Sequence, residues 1–346
     1  MLENVPYPRL ALLSPAVRGE PDPEAWRRHD LVAVGPDALG LAPDREPAGL
    51  AEGFTPASLR AAQRRAGEIH LRNPEAVLLC AVSFYEYRDD WLPAEHPWWL
   101  REEGARVPSR PGYYRLNWED PEYRSRVARG TVALTDTGID GVFYDHLRPE
   151  ARARWTAFLK EVRLGVGSNF LLLASLGDEV TGCEYLLPLL NGVLYESGWC
   201  RDGTYWEECV RAMQRNEILL RPPRISVVEC FAEADTPAEA ARRSSLCYAL
   251  TVGDYYYLSH DRASGQRPWP PEYEAKIGHP LEPGKQMSSH VWRRPYDRAL
   301  VVVNLPGAAE AFTVRVGRPA WDAFTGEAGT EFTLPPGDGR ILVTQP

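Results

Sequence analysis

Carboxyl side chains stand at the ends of several short apolar runs in this chain. Asp145, Glu196 and Glu229 each close or nearly close such a run. A carboxyl group beside buried apolar residues loses hydration, which costs free energy unless the group is paired or used. Two carboxyl groups on either side of a glycosidic bond can cleave it, because one protonates the leaving oxygen while the other acts as nucleophile or activates water. The sequence therefore predicts Asp145 and Glu196 as a catalytic pair, with Glu229 as an alternative catalytic residue.

Other polar and aromatic residues are predicted to line the same site and bind a sugar. Most of them lie at or next to the ends of apolar runs, with Glu86 expected to end the third strand, and the others lie in loops; they are Asp37, Tyr85, Glu86, Trp118, His146, Trp199 and His260. The long segment after residue 87 also contains Trp91, Trp98 and Trp99. A loop of that length in a compact domain is commonly functional, so we expect a sugar-stacking lid there, with anchoring of the loop by Trp98 and Trp99 as the alternative.

These residues need a scaffold that brings the ends of separate runs together. Eight apolar runs of strand length recur along the chain, at 10–15, 31–36, 76–87, 140–147, 170–176, 192–197, 224–231 and 254–260, and segments of helical pattern follow most of them. Near-continuous apolar strands indicate burial on both faces, as in a parallel sheet covered by helices. A doubly wound sheet would want a glycine-rich turn after its first strand, and residues 14–24 lack one. The pattern predicts a (β/α)8 TIM barrel, in which the carboxyl ends of all strands surround one mouth.

The character of the chain changes after residue 260. A proline-rich stretch is followed by short strand-like runs at 299–304, 311–316, 319–324, 331–334 and 340–344, separated by turn-forming residues. Such a pattern is typical of a small antiparallel β-module. We therefore predict a catalytic barrel over residues 1–275 and a β-sandwich-like module over residues 276–346.

Composition and charge argue against several other classes of protein. The net charge is −9 and no lysine- or arginine-rich run occurs, so no nucleic-acid partner is expected. Neither a signal peptide nor an apolar run of about 18 residues is visible, which predicts a cytoplasmic protein with no membrane partner, unless a longer precursor is secreted. The six cysteines form no CxxC pair and no HExxH or GxSxG motif occurs, so neither a metal nor another cofactor is expected.

Several segments resemble parts of known glycoside hydrolases. Residues 136–145, Asp-Thr-Gly-Ile-Asp-Gly-Val-Phe-Tyr-Asp, resemble the strand-four signature of hydrolases related to the endo-α-1,4-polygalactosaminidase family, and residues 191–197 resemble their strand-six segment. Residues 116–124 resemble the segment before the preceding helix, and residues 291–296, 301–304 and 321–327 resemble a β-module that follows many glycosidase barrels. The resemblance covers residues 76–346. It implies a barrel with Asp145 as nucleophile or base and Glu196 as general acid.

Three functions are compatible with the sequence. The first is a glycoside hydrolase that cleaves an O-glycosidic bond in an oligosaccharide or polysaccharide. The second is a non-catalytic barrel that only binds carbohydrate, and the third is a metal-assisted hydrolase on the same fold. If Glu229 were the nucleophile, Asp145 on the fourth strand would become the acid. Paired glycosidase acids lie within about 10 Å of each other, so the first function requires Asp145 and Glu196 to meet at the mouth.

Overall fold

The structure, a computed structural model, describes residues 7–14, 23–44, 52–83, 85–145, 147, 152–176, 181–196, 206–231, 238–260 and 269–344. Eight parallel strands follow one another in a single sheet: β1 (Ala11–Ser14), β2 (Leu31–Val34), β3 (Val77–Ser83), β4 (Gly141–Asp145), β5 (Leu171–Ser175), β6 (Gly192–Glu196), β7 (Val227–Phe231) and β8 (Tyr256–His260). The sheet closes because Leu10 forms a parallel bridge with Tyr257, whose amide nitrogen donates to the carbonyl oxygen of Arg9 at 2.8 Å. The predicted TIM barrel is confirmed.

Side chains alternate between the barrel interior and the layer of helices along each strand. One buried cluster, here called the inner core, fills the interior and consists of Ala11, Leu31, Ala33, Val77, Leu79, Ala81, Phe143, Leu171, Leu173, Leu194, Ile225, Val227, Tyr256 and Leu258. The intervening strand residues, such as Val142, Leu172 and Val193, belong to a second cluster that packs against the helices. Burial on both faces explains why the strands read as near-continuous apolar runs.

Six helices of the described residues cover the barrel. They are α1 (Pro23–Arg28), α2 (Pro56–Arg72), α3 (Pro121–Ala133), α4 (Arg152–Val166), α5 (Trp206–Leu219) and α6 (Ala238–Val252). The carboxylate of Asp120 caps α3 by accepting from the backbone nitrogens of Glu122 and Tyr123, at 2.8 and 3.0 Å. Between β5 and β6 the described residues contain a single 3-10 turn, Leu187–Leu189, in place of a full helix. Among the described residues, no helix combines the length and the apolar character needed to cross a membrane.

The third strand ends earlier than the sequence predicts. The run 76–87 was expected to form one strand, but β3 ends at Ser83, and Glu86–Arg88 is a separate short strand. That short strand pairs antiparallel with Tyr113–Arg115, which in turn pairs with Pro108–Arg110. Residues 86–115 therefore form a small sheet of their own, with a further short hairpin of Arg101–Glu102 and Ala105–Arg106. The prediction that Glu86 ends the third barrel strand is wrong, because pairing within the loop takes it out of the barrel.

Polar side chains join neighbouring strands at the amino-terminal end of the barrel, here called the floor. Asp30, Asp140 and Asn191 each precede an even-numbered strand and accept a backbone N–H from the beginning of the strand before it or, for Asp30, from the residue just before that strand. Their bonds come from Leu10 at 2.8 Å, Leu78 at 2.7 Å and Leu172 at 3.1 Å. These bonds satisfy amides at strand beginnings that would otherwise be buried without an acceptor.

Glycine follows two of these floor residues because the neighbouring backbone leaves no room for a side chain. A Cβ atom on Gly141 would lie 2.2 Å from the carbonyl oxygen of Leu171, and one on Gly192 would lie 1.8 Å from that of Ile225. Both positions point into the barrel, since each lies two residues before an inner-core residue. The close approach explains the shared beginning of the segments 140–145 and 191–196, where a polar residue, glycine and valine recur.

The C-terminal part forms a six-stranded antiparallel sheet. Its strands are β9 (Lys285–Gln286), β10 (Val291–Pro295), β11 (Ala299–Asn304), β12 (Phe312–Asp322), β13 (Ala328–Leu334) and β14 (Asp338–Val343), in the order β9-β10-β11-β14-β12-β13. The runs 311–316 and 319–324, predicted as two strands, belong to the single strand β12, whose pairing shifts between Arg315 and Ala320. The antiparallel module is confirmed, while the division between residues 275 and 276 stays a prediction.

This sheet rests against α6 of the barrel. The Tyr296 hydroxyl donates to the carbonyl oxygen of Leu250 at 2.8 Å, and Arg243 Nε lies 2.9 Å from Asp338 Oδ1. Asp338 is buried, so its pairing with Arg243 offsets the cost of removing its charge from water. The sheet thus covers the outer side of the barrel near β7 and β8.

Candidate active site

Four polar side chains extend the inner core at the carboxyl end of the barrel, here called the rim. Each lies two residues beyond an inner-core residue of its strand and therefore points to the same side, toward the barrel axis. They are Asp145 on β4, Ser175 on β5, Glu196 on β6 and Glu229 on β7. The alternation that buries leucine and valine in the interior thus places these four residues at the mouth.

The shear of the barrel decides which rim residues share a level. Starting at Leu10, we follow the backbone pairing from each strand to the next, through all eight strands. This path arrives at position 249, whereas the bridge that closes the barrel joins Leu10 to Tyr257, eight residues further along the chain. Each step to the next strand therefore rises by one residue, and inward side chains at one level come from alternate strands. Asp145 and Glu196 occupy one such layer.

Ser175 and Glu229 share the layer below. They come from β5 and β7, one residue lower than the layer of Asp145 and Glu196, which corresponds to about 3 Å along the strand. The neighbouring inward positions of this lower layer, Leu13 and Ala81, are apolar. The carboxyl groups therefore lie where the apolar interior gives way to the open mouth.

Glu196 has the best-defined surroundings of the rim acids. Ser175 is fully buried, and its hydroxyl donates to Glu196 Oε1 at 2.7 Å. Glu229, which is 9% exposed, is the direct backbone partner of Glu196 on the adjacent strand. Adjacent strands are about 4.8 Å apart, so two ionised carboxylates on this pair would repel each other. Ser175 was missed in the sequence because only ionisable strand ends were considered, although a polar residue at the third inward position of β5 is a readable signal.

Glu86 and Tyr85 lie in the loop that follows β3. Glu86 accepts a hydrogen bond from Arg110 Nε at 2.6 Å and another from the Ser109 hydroxyl. The Arg115 guanidinium lies over the Tyr85 ring, 4.6 Å from its centre. Both residues are thus engaged with the small sheet of residues 86–115, and their predicted contact with a sugar stays a prediction.

The tryptophans of this loop pack against the protein. Trp98 and Trp99 are buried, and Trp99 Nε1 donates to the carbonyl oxygen of Pro93 at 3.0 Å. Trp118 stacks on Trp155 of α4, with ring centres 4.2 Å apart and an angle of 21° between the planes. These contacts favour the anchoring alternative for Trp98 and Trp99, since their faces are covered by neighbouring side chains.

Asp37 lies in the loop after β2 and is exposed. Burial, followed by the negative charge of Asp37, raises the pKa of Tyr87 to about 12. This charge acts on a residue that follows β3, so Asp37 lies within electrostatic reach of the loop after β3. This position agrees with a place for Asp37 near the mouth, while its contact with substrate stays a prediction.

For three further predicted residues, the position of the side chain is not described. His146 and Trp199 lie outside the described residues altogether. The backbone of His260 ends β8 opposite Phe231, at the level of Asp145 and Glu196, but its side chain is outside the described part of the structure. Within the described residues, no group of three or more histidine, cysteine, aspartate or glutamate side chains is placed to hold a metal ion.

Neither a protein-family model nor a curated protein sequence matches this chain. Many solved structures match its fold. A noncanonic maltogenic α-amylase from Thermotoga neapolitana aligns with a TM-score of 0.57 at 12% identity, over 98% of this chain and 99% of that chain. An α-amylase from Geobacillus thermoleovorans, solved in complex with acarbose, aligns with a TM-score of 0.55 at 13% identity, over 97% of each chain. A debranching enzyme from Nostoc punctiforme aligns with a TM-score of 0.52 at 12% identity, over 92% of this chain and 87% of that chain.

These similarities concern the fold. The matched enzymes are glycoside hydrolases that combine a TIM-like barrel with a C-terminal β domain, the same two parts in the same order as in this chain. The narrower resemblance of residues 136–145 to the polygalactosaminidase-related hydrolases is not supported by the comparisons. The chain therefore shares the two-part fold of these enzymes, a TIM barrel followed by a C-terminal β domain.

Proposed function

We propose that this protein is a glycoside hydrolase that cleaves an O-glycosidic bond in an oligosaccharide or polysaccharide, with Asp145 and Glu196 as its catalytic carboxyl groups. The observation that carries the proposal is the position of these two residues. Both point to the barrel axis from the same layer at the carboxyl end, which is the end where barrel enzymes carry their active sites.

The strand spacing supports this pairing. Strands two apart place their Cα atoms about 10 Å apart, and side chains that both point to the axis bring their carboxyl groups closer than that. Paired glycosidase acids are separated by about 5–9.5 Å, with the shorter distances in retaining enzymes and the longer ones in inverting enzymes. The arrangement is thus suited to a scissile bond held between Asp145 and Glu196.

Glu229 is the alternative partner. It lies directly beside Glu196 on the next strand and one residue below the layer of the proposed pair. In that lower layer it is more buried than Asp145. We therefore assign Glu229 a supporting electrostatic role beside Glu196, and variants of all three acids test this assignment.

The fold similarity suggests which substrates to examine first. The matched enzymes include amylases and a debranching enzyme, one of them in complex with acarbose, so α-glucans and aryl α-glucosides form the first panel. Aryl galactosides, aryl N-acetylhexosaminides and galactosamine-containing polysaccharides form the second, because they test the narrower resemblance of residues 136–145.

The decisive experiment compares the two ends of one strand. We expect Asp145→Asn to lower kcat/KM by about a thousandfold or more, as loss of an acid or base does, with a Tm unchanged or higher since one like charge is removed. Asp140→Asn, at the floor end of β4, is the matched control and should leave turnover within about twofold of wild type. A fully active Asp145→Asn enzyme would overturn the proposed pair.

Two other results would point to the competing functions. Wild-type protein that binds oligosaccharides in calorimetry but hydrolyses none of the panel would be a carbohydrate-binding barrel. Activity that is lost on chelation and restored by a divalent cation would indicate a metal-assisted hydrolase. Either result would replace the proposal.

A further inference from the structure

Ser175 on β5 is hydrogen-bonded to Glu196, one of the two proposed catalytic carboxyl groups. Its hydroxyl donates to Glu196 Oε1 at 2.7 Å from a fully buried position on the neighbouring strand. Both side chains belong to the inward-facing series of their strands, which fixes the direction from which the hydroxyl approaches. A hydrogen bond from a buried hydroxyl restricts the rotation of the carboxyl group that accepts it.

We propose that Ser175 is a positioning residue that keeps Glu196 ionised, with Oε2 as its reacting oxygen, so that Asp145 is the proton donor. This inference rests on the proposed function and reverses the roles that the family resemblance implies. A hydroxyl that donates to a carboxylate forms a charge-assisted hydrogen bond, which favours the ionised form over the protonated one. Because Oε1 is occupied by Ser175, Oε2 is the oxygen left to face a substrate.

These roles give a balanced reaction. Asp145 transfers its proton to the leaving glycosidic oxygen as the bond between that oxygen and the anomeric carbon breaks. Glu196 Oε2 either bonds to the anomeric carbon or takes a proton from the water that attacks it. In the first case, water then displaces Glu196 and gives its proton to the Asp145 carboxylate, which restores both groups. In the second case, Glu196 releases the proton from water to the solvent and Asp145 takes one up from the solvent before the next turnover.

Two other carboxyl groups lie near Glu196. Glu229 lies beside it on β7 and Asp145 lies in the same layer on β4, while the backbone of His260 ends β8 at that level. Ser175 therefore donates to Glu196 at a position that two other carboxyl groups border.

The test is the pH dependence of kcat/KM in Ser175→Ala. We expect the acidic limb of the profile to move up by about one pH unit, a tenfold change in the ionisation constant. Ser175→Thr keeps a hydroxyl and should return the limb to its wild-type position. Ser226→Ala is the matched control, because Ser226 is a buried serine that hydrogen-bonds a carboxyl, Glu217, at the floor. It should not move either limb.

Two outcomes would overturn the inference. If Ser175→Ala moves the alkaline limb instead, Glu196 is the proton donor, and if neither limb moves, Ser175 does not position it. Should Ser175→Ala fail to fold, Ser175→Cys, a weaker donor of similar shape, permits the same comparison.

A second measurement separates this inference from the proposed function. The carboxyl carbon of Glu196 is followed by NMR in protein labelled with 13C-glutamate, with Glu196→Gln to identify the signal. We expect its titration to move up by about one pH unit in Ser175→Ala, whether or not any sugar is hydrolysed. Absence of turnover on every substrate would then contradict the proposed function alone, whereas an unchanged titration would contradict the role of Ser175.

Discussion

The floor and the rim of the barrel use similar residues for different purposes. Strand β4 has Asp140 just before it and Asp145 at its end, and β6 has Asn191 just before it and Glu196 at its end. At the floor, the side-chain oxygens accept backbone N–H groups of the neighbouring strand. At the rim, the acids project into the mouth from a common layer. Polar side chains of similar length therefore bond neighbouring strands at one end of the barrel and are available for chemistry at the other.

The comparison also shows that a perturbed pKa does not by itself mark a catalytic residue. Burial raises the pKa of Glu217 to about 7, although hydrogen bonds from Ser226 and Tyr195 act in the opposite direction. Burial likewise raises the pKa of Asp30 to about 6. Both groups lie on the floor side of the barrel and are hydrogen-bonded to residues of the scaffold. Burial in the scaffold can therefore raise the pKa of a carboxyl group as much as an active site does.

The largest contrast is expected between the two ends of β6. Glu196→Gln should lower kcat/KM by about a thousandfold or more while the Tm stays within about 2 °C of wild type. Asn191→Ala should lower the stability of the protein and leave the turnover of the folded enzyme unchanged. Asn191 is fully buried, accepts from Leu172 and Arg163, and donates to the carbonyl oxygens of Arg221 and Pro222, so its loss should cost about 3 kcal/mol of unfolding free energy.

Both effects in β6 are read from urea unfolding and from steady-state kinetics on folded protein. The kcat of Asn191→Ala should match the wild type once the folded fraction is taken into account. A large loss of turnover in Asn191→Ala with normal stability would end the distinction between floor and rim.

The floor should also set part of the pH dependence of stability. The pKa of Glu217 is raised from 4.5 to about 7 in the folded state, so its proton is retained there between these values. Its contribution is fully present below pH 4.5 and is lost as the pH rises through 7. Since Glu217 is only half-buried, we expect a loss of about 1–2 kcal/mol between pH 5 and 8.

Glu217→Gln stays neutral and should remove this part of the slope, so that the variant is more stable than wild type at pH 8. The remaining slope includes Asp30 and Asp322, because burial raises the pKa of each of them in the same direction. Urea unfolding at several pH values measures the difference. Glu331→Gln, which removes an exposed acid of the C-terminal sheet, is the control, and an equal change in slope there would contradict the assignment to Glu217.

The smallest effect is expected at Glu86, a rim acid that is already paired within its loop. Its bond to Arg110 involves a partner that is half-exposed, so Glu86→Gln should cost less than about 1 kcal/mol. If the loop only borders the substrate, KM should rise by about threefold or less and kcat should stay constant. Separate measurement of kcat and KM checks this. A hundredfold loss of kcat would place Glu86 among the reacting groups instead.

The order of the elements was readable from the chain because burial leaves a local signature. All eight apolar runs became barrel strands, and their alternation was enough to point Asp145, Glu196 and Glu229 into one interior. Glu86 failed for a non-local reason. Its run is continuous in sequence, but pairing with Arg115, 29 positions later, draws it away from the barrel. The sugar-stacking lid stays a prediction, and the contacts of Trp98 with Tyr123 and of Trp99 with Tyr114, which favour anchoring of the loop, join positions far apart in the sequence.

The sequence by itself determined the barrel, the antiparallel module and the acidic residues that reach the mouth, since periodicity and burial are properties of short segments. Only the tertiary structure decided which of these residues share a layer. That result depends on the shear that closes the barrel between Leu10 and Tyr257, and no single strand contains it. The tertiary structure also decided the bond from Ser175 to Glu196. This bond joins side chains 21 positions apart, which meet only when β5 and β6 are in register.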